Sequence, residues 1–409
     1  MQKDFKVPYF GIGSIWGEEE LDVVKHTIFS SNTLSCGEQL ELFEREFADY
    51  VGCKHALTVS SGTEALNFAT YLVGLKSGDE VIVTPFSYQA SISSLLTLPV
   101  KVKFCDIDTN TLCADPESIK TLITEKTKAI YLTHIGGFMA DMEPILTLAN
   151  EYGLIIVEDC AHAHGSLYRG KKAGSFGHIG CYSFQSSKNM TTLGEGGMIT
   201  FNNDKWASVI RNIRGIEPDA DFILRDGISF GGFKKPKYNI NMHEKNAFTH
   251  ECLAIHHPGT CSPMCEPAAA VGRVQLTKLE GFNERRREIA KKINDGLMDL
   301  PQIRIQKVPD HNVCNYHLFA FFINSGYGIG RDQLVSIIQE QGVEVVLRYF
   351  PLHLLPEWRY HGHEYGECPQ TEHIWFHELV NLPIYPSLSD EQVEYMISTV
   401  RNAVIKLSI

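Results

Sequence analysis

Asp159 and Lys188 stand 29 positions apart, and each follows an apolar run. Asp159 closes Leu154-Ile155-Ile156-Val157-Glu158. That run is too short for a helix and rich in β-branched residues, so it predicts a buried strand. Lys188 follows a second apolar stretch, Ile179 to Gln185, by way of Ser186-Ser187. Gly194-Glu195-Gly196-Gly197 and a third predicted strand, Met198 to Phe201, come next. Ligands of open α/β sheets gather outside the carboxyl ends of the strands, where the carboxylate is expected. Glycines beside the lysine let a bound group come close to the backbone. Pyridoxal phosphate suits such a pair. Its aldehyde needs a lysine for a Schiff base, and its ring nitrogen needs an acid partner so that the protonated ring can draw electrons.

A phosphate needs donors as well. His55 to Ser60 predicts a strand, and Ser61-Gly62-Thr63-Glu64 opens a helix that runs through Leu75. Such a junction gathers unpaired N–H groups at the positive end of a helix dipole. Taken alone it reads as a plain helix cap.

Several strings occur together in one order: Glu158-Asp159-Cys160-Ala161-His162-Ala163-His164-Gly165, then Ser183-Phe184-Gln185-Ser186-Ser187-Lys188, then Gly194-Glu195-Gly196-Gly197. In this they resemble the DegT/DnrJ/EryC1/StrS family of sugar aminotransferases. The resemblance implies the type I fold of pyridoxal-phosphate enzymes: a large α/β domain on a mainly parallel seven-stranded sheet, with a smaller carboxy-terminal α/β domain. It makes Lys188 the Schiff-base lysine and Asp159 the partner of the ring nitrogen. It assigns Gly62 and Thr63 to the cofactor phosphate, with Ser183 as a further hydroxyl donor. It places a ring-stacking aromatic at Tyr88, with Phe86 second; for Phe86 a place in the core is the simpler reading. His162 is expected against the ring hydroxyl. His164 is left unassigned, and His134 is given no chemical role.

The elements that must hold these residues follow from periodicity. Glu18 to Ser30 and Glu38 to Tyr50 carry apolar groups at helical spacing. Strands at Asp79 to Thr84, Val102 to Ile107 and Ala129 to His134 alternate with helices at Pro116 to Thr124 and Met142 to Tyr152. That βαβα rhythm implies a mainly parallel sheet with helices on both faces. Ala268 to Met298 predicts one long helix, weakened at Gly281 by about 1 kcal/mol relative to alanine. Beyond Pro301 the pattern becomes a small α/β unit. It has a strand at Asn315 to Ile323, a helix at Arg331 to Gln341 and a strand at Val343 to Leu347. A helix from Glu391 to Lys406 follows, behind a capping box of Ser389 and Gln392. The expected domains are 1–280, with the cofactor site, and 281–409. The strings Tyr316-His317-Leu318, Arg348-Tyr349-Phe350-Pro351-Leu352-His353 and Asn381-Leu382-Pro383-Ile384-Tyr385-Pro386 extend the resemblance over nearly the whole chain.

The 409 residues carry a formal net charge of −12. This disfavours nucleic acid or an anionic membrane as the main partner, but a local pocket can still take an anionic substrate. The start has no long apolar stretch of the kind a signal peptide needs, and no run reaches membrane-spanning length. Eleven cysteines, several of them in predicted core strands, read as buried free thiols of a reducing cytosol. His256-His257-Pro258-Gly259-Thr260-Cys261-Ser262-Pro263-Met264-Cys265 does not have the spacing of a structural zinc site, and no metal is expected.

The same stretch departs from the family. Where the family reads Gly-x-Asn-x-Arg-Met, this chain has Gly259, Cys261, Pro263 and Met264, so the Asn and Arg are missing. The family's Asn reaches the neighbouring subunit's cofactor phosphate. Asn239 and Asn241 are the candidates to replace it, and Lys234-Lys235-Pro236-Lys237 is either a solvated loop or a receiver of a phosphorylated substrate. The family implies a homodimer that takes an amino group from glutamate or glutamine. It passes that group to a ketone on a nucleotide-linked sugar or a cyclitol, in amino-sugar or antibiotic biosynthesis. Two alternatives stay open here: a dehydratase using the same cofactor, and a catalytically silent regulator.

Overall fold

The computed structural model describes residues 5–9, 11, 13–215 and 259–408. After two helices, α1 (Glu18–Ser30) and α2 (Glu38–Val51), the chain enters the first strand, β1 (His55–Val59). It continues through α3 (Gly62–Val73), β2 (Glu80–Val83), β3 (Lys101–Phe104), α4 (Pro116–Leu122), β4 (Thr127–Thr133), α5 (Met142–Tyr152) and β5 (Ile155–Asp159). Two short strands, β6 (Leu167–Tyr168) and β7 (Lys171–Lys172), precede β8 (Ile179–Ser183) and β9 (Gly197–Phe201). Seven of these strands make one sheet in the order β1-β9-β8-β5-β4-β2-β3. Pairing is parallel from β3 across to β8, and β9 runs antiparallel to both its neighbours. The expected mainly parallel seven-stranded sheet is therefore present. Every residue of β2, β8 and β9 is buried, as expected for strands covered on both faces.

Helix α7 (Glu266–Leu297) runs for 32 residues. It gives Ala268, Ala269 and Leu279 to the core around the large sheet and Ile289, Ala290, Ile293 and Leu297 to a second core. Its first residue has another task. Gly37 stands at the N-cap of α2 and has no side chain to cap the helix. The buried Glu266 carboxylate accepts the N–H groups of Gly37, Gln39 and Leu40 at 2.8, 2.8 and 3.1 Å. A carboxylate at a helix N-terminus satisfies unpaired donors and opposes the helix dipole.

The second core covers a three-stranded antiparallel sheet of β10 (Ile303–Ile305), β12 (Phe319–Ile323) and β13 (Leu379–Leu382). β11 (Asn312–Val313) joins the ribbon of β6 and β7 instead. The helices of this part are α8 (Arg331–Glu340), α9 (Pro356–Tyr360), α10 (Pro369–His373) and α11 (Asp390–Leu407). The capping box at Ser389 and Gln392 is formed at the start of α11. Two expectations need correction. The strand read from Asn315 begins only at Phe319, because Tyr316 takes a left-handed backbone with φ of 48° and the Leu318 N–H bonds the Gly136 carbonyl in place of a ladder partner. Residues 343–347 are not a strand and make single bridges only, Val7 with Val343 and Val346 with Asn381. Their apolar run reports burial, which does not require a ladder.

Residues 203–263 form a separate unit, described over 203–215 and 259–263. It contains α6 (Asp204–Gly215), and the returning chain pairs with the helix end. The Thr260 N–H donates to the Ile213 carbonyl at 2.8 Å, and the Ser262 N–H to the Arg214 carbonyl at 3.0 Å. The basic run at 234–237, Asn239, Asn241 and residues 256–258 lie outside the described residues. Among the described residues the cysteines are free thiols, with Cys105, Cys160 and Cys181 buried. No helix among them is long and apolar enough to cross a membrane.

Candidate active site

β4, β5 and β8 lie side by side, and their carboxyl ends build the mouth of the sheet. Asp159 ends β5 and is 7% exposed. Its Oδ2 accepts the Ser91 hydroxyl at 2.5 Å, and its Oδ1 accepts the Ala161 N–H at 3.0 Å. Among the described residues no cation forms an ion pair with it. A buried carboxylate held by two neutral donors, with no direct ion pair among the described residues, is poised to pair with a cation.

Lys188 follows β8 on a tight turn closed by its own N–H, which donates to the Gln185 carbonyl at 2.8 Å. The amino-terminal segment lies over this turn. The Gly13 N–H donates to the Ser186 carbonyl at 2.9 Å. Any side chain at Gly13 would collide with the Ser187 and Lys188 carbonyls, 2.3 and 2.1 Å from an added Cβ. Arg286, fully buried on α7, fixes the segment from the other side. Its guanidinium donates to the carbonyls of Gly13, Ile384 and Tyr316 at 2.8, 2.7 and 3.1 Å. Lys188 itself is half-buried. Packing around its amine lowers its pKa from the ordinary 10.5 to about 8. The nearby Asp159 charge opposes that shift, and the Arg348 guanidinium adds to it.

Gly62 and Ser183 meet directly. A Cβ added at Gly62 would come within 2.6 Å of the Ser183 Cβ, so only glycine lets the α3 N-terminus approach the end of β8. The Ser61 side chain already caps Glu64 N at 3.1 Å. The N–H groups of Gly62 and Thr63 have no intrahelical partner by their position at the start of α3. Thr63 is exposed there.

On the other side of the mouth a stack of rings forms. His162, buried, lies 4.2 Å from His317 at an interplanar angle of 24° and 5.7 Å from Tyr349 at 16°. Its Nδ1 accepts the Gly136 N–H at 3.4 Å, which leaves the proton of the neutral ring on Nε2. Nε2 lies 3.5 Å from the Tyr349 hydroxyl. Burial, reinforced by Lys188 and Arg348, holds the His162 pKa well below its usual value, so the ring is neutral. Tyr88, 53% exposed, stands 6.0 Å from Tyr349. Phe86 is fully buried in the core, as the simpler reading had it. His164 is also buried, and burial lowers its pKa to about 3. His134 donates from Nε2 to the buried Glu158 at 2.9 Å while its Nδ1 accepts the Ala140 N–H at 3.2 Å. These two residues and Cys160 sit close enough to hold a metal ion, but Glu158 also receives the N–H groups of Gly174, Phe176 and Gly177. The lone pairs a metal would need are already engaged.

The structure thus brings Asp159, Lys188, Ser183, Gly62 and His162 to one end of the sheet. It adds residues that the sequence reading gave no role: Ser91, Arg348, Tyr349 and His317. Of these, Arg348, Tyr349 and His317 lie in strings that carried a signal, and Ser91 carried none. The residues fit pyridoxal phosphate. The buried carboxylate, touched only by neutral donors, suits a protonated ring nitrogen, the amine is neutral enough to take an aldehyde, and the glycine-opened helix end suits a phosphate.

Residues 15–401 match the sequence profile described as the DegT/DnrJ/EryC1/StrS aminotransferase family. The spore coat polysaccharide biosynthesis protein SpsC of Bacillus subtilis is 31% identical over 391 residues, 95% of each chain. The dTDP-3-amino-3,4,6-trideoxy-alpha-D-glucose transaminase of Streptomyces venezuelae is 31% identical over 402 residues, 97% of this chain and 96% of its own. Among solved structures, the aminotransferase from Psychrobacter cryohalolentis superposes with a TM-score of 0.86 at 26% identity, covering 98% of this chain and 100% of its own.

Proposed function

The chain belongs to the DegT/DnrJ/EryC1/StrS aminotransferase family, and from that premise we propose that it moves an amino group from glutamate or glutamine to a ketone. The acceptor is a nucleotide-linked keto sugar, with a cyclitol ketone as the other member of the class. The likeness to a transaminase named for a dTDP-linked amino sugar supports the nucleotide-linked choice. One observation carries the reading. A buried carboxylate held by a hydroxyl and an N–H ends one strand, and a packed-in lysine amine close enough to feel its charge follows the neighbouring strand.

Enzymes of this family are pyridoxal-phosphate-dependent. Bound there, the cofactor supplies an aldehyde carbon and an electron-withdrawing ring. Asp159 holds the proton of the ring nitrogen by charge and hydrogen bond. The N–H groups of Gly62 and Thr63 and the Ser183 hydroxyl receive the phosphate, and Tyr88 packs its ring face against the pyridine. His162, neutral with its proton on Nε2, is a donor for the ring hydroxyl. With the cofactor bound, the Lys188 amine would be the group that holds and moves the proton of the donor's α-carbon. Being held in place, it acts as an intramolecular base. The reading includes a homodimer working in the cytosol. Support for the dimer comes from exposed apolar side chains on α1, namely Leu21, Ile28 and Phe29.

The test is a half-reaction screen. Each amino acid is tried for discharge of the bound cofactor's absorbance, and each ketone for its return. Glutamate or glutamine should discharge it. Borohydride added beforehand should fix the vitamer on the peptide that contains Lys188. Lys188→Ala should lose all transfer, and full turnover in that variant would refute the assignment.

A further inference from the structure

The carboxylate at the end of β5 is backed by hydroxyls on two other elements. The chain folds Gln89–Ser91 into a single 3₁₀ turn, closed by the Ser91 N–H on the Tyr88 carbonyl at 3.0 Å. Tyr88 points out of that turn and Ser91 points in. The Ser91 hydroxyl donates to Asp159 Oδ2 at 2.5 Å. Its single hydrogen is thereby spent, so in its 2.6 Å contact with Ser87 the donor is Ser87. The Thr133 hydroxyl in turn donates to Ser87 at 3.0 Å. All four side chains are buried. The hydrogens therefore run one way, from Thr133 to Ser87 to Ser91 to Asp159, and the O–H dipoles line up toward the negative charge. Aligned hydrogen bonds of low-dielectric interiors reinforce one another. On Oδ1 the Ala161 N–H completes the grip, so the plane of the carboxylate is fixed from both sides.

We propose that Ser91, backed by Ser87 and Thr133, is a positioning residue that orients the Asp159 carboxylate toward the ring nitrogen of the cofactor. This rests on the pyridoxal-phosphate reading above. Ser91 touches no reacting atom and works only through Asp159. The same turn carries Tyr88, so one short element sets both the carboxylate behind the ring and the aromatic face beside it.

The experiment titrates apoprotein with pyridoxal phosphate by calorimetry and records the absorbance spectrum of each loaded protein. Wild type is compared with Ser91→Ala, Ser91→Thr, Asp159→Asn and the double variant of Ser91→Ala with Asp159→Asn. Ser91→Ala should bind about tenfold more weakly, the lower end of what a hydrogen bond to a charged group is worth. Its spectrum should shift toward that of Asp159→Asn. Ser91→Thr keeps the hydroxyl, so binding should return to within about twofold. In the Asp159→Asn background, Ser91→Ala should cost nothing further. Should Ser91→Ala fail to fold, Ser87→Ala removes the next donor and should weaken binding about threefold. Wild-type affinity and spectrum in the soluble alanine variants, or an undiminished tenfold loss in the Asp159→Asn background, would overturn the proposal alone. A wild type that takes up no pyridoxal phosphate would overturn the functional reading, and the proposal with it.

Discussion

The Lys188 amine offers a prediction that can be measured without substrate. Packing lowers its pKa from the ordinary 10.5 to about 8. At pH 7.5 an amine of pKa 8 is about one-quarter neutral, whereas one of 10.5 is about one-thousandth neutral, a ratio of about 240. A limiting dose of labelled acetic anhydride should therefore mark Lys188 far ahead of exposed lysines in the apoprotein. Read by peptide mass across pH 6.5 to 11, its labelling should reach half-maximum near pH 8. The charges around it fix the direction in variants. Asp159 raises the Lys188 value, so Asp159→Asn should move the midpoint to lower pH. Arg348 lowers it, so Arg348→Ala should move the midpoint to higher pH. Stability follows by linkage. Between pH 8 and 10.5 the unfolded chain binds more protons at this lysine than the folded one. Stability should therefore rise with pH across that window, and the cost of burying the amine is fully present below it. A midpoint near 10.5, or one unmoved by both substitutions, would refute the account of how the site prepares its amine.

Gly62→Ala should push the start of α3 off Ser183. The expected cost is about 1–3 kcal/mol of stability, as for other overpacked sites, together with weaker uptake of the cofactor; an unchanged titration would show that the approach is not needed. Glu266→Ala strips the cap from α2 and leaves the Leu40 N–H buried and unpaired, a loss of about 2–4 kcal/mol in chemical unfolding. A loss within about 0.5 kcal/mol, the ordinary range for a surface substitution, would refute the capping role. Tyr88→Ala should weaken cofactor binding several-fold while leaving the unfolding midpoint in place, because the side chain is half in solvent. Tyr88→Phe should bind as wild type, since it keeps the ring face.

Asp159 and Lys188 were legible in the sequence because each ends a run whose burial the composition already declares, and because the intervening strings occur in a recognisable order. Periodicity also located α1, at Glu18–Ser30, and α5, at Met142–Tyr152, to the residue. The hydroxyls behind Asp159 were not legible. Ser87 and Ser91 sit in a polar turn like many others, and Ser91 lies 68 positions from the carboxylate it serves. Only the sheet order, which places β4 between β2 and β5, brings Thr133, the turn after β2 and Asp159 together. The Glu266 cap was hidden for the same reason, since it reaches 229 positions back to Gly37. Residues 343–347 show the opposite failure, an apolar run whose burial is real but whose pairing is confined to single bridges. Local pattern reports how deeply a segment is buried, while the partner of a polar group is decided by topology.

A single guanidinium gathers carbonyls from positions 13, 316 and 384. The leading segment therefore cannot peel away while the trailing lobe stays shut without leaving a sequestered cation short of an acceptor. Opening becomes a shared event: amide exchange at Gly13 and in β13 should quicken together under mild denaturant. Through the Gly13 amide on Ser186, the loop bearing the reactive amine inherits the firmness of the opposite end of the polypeptide.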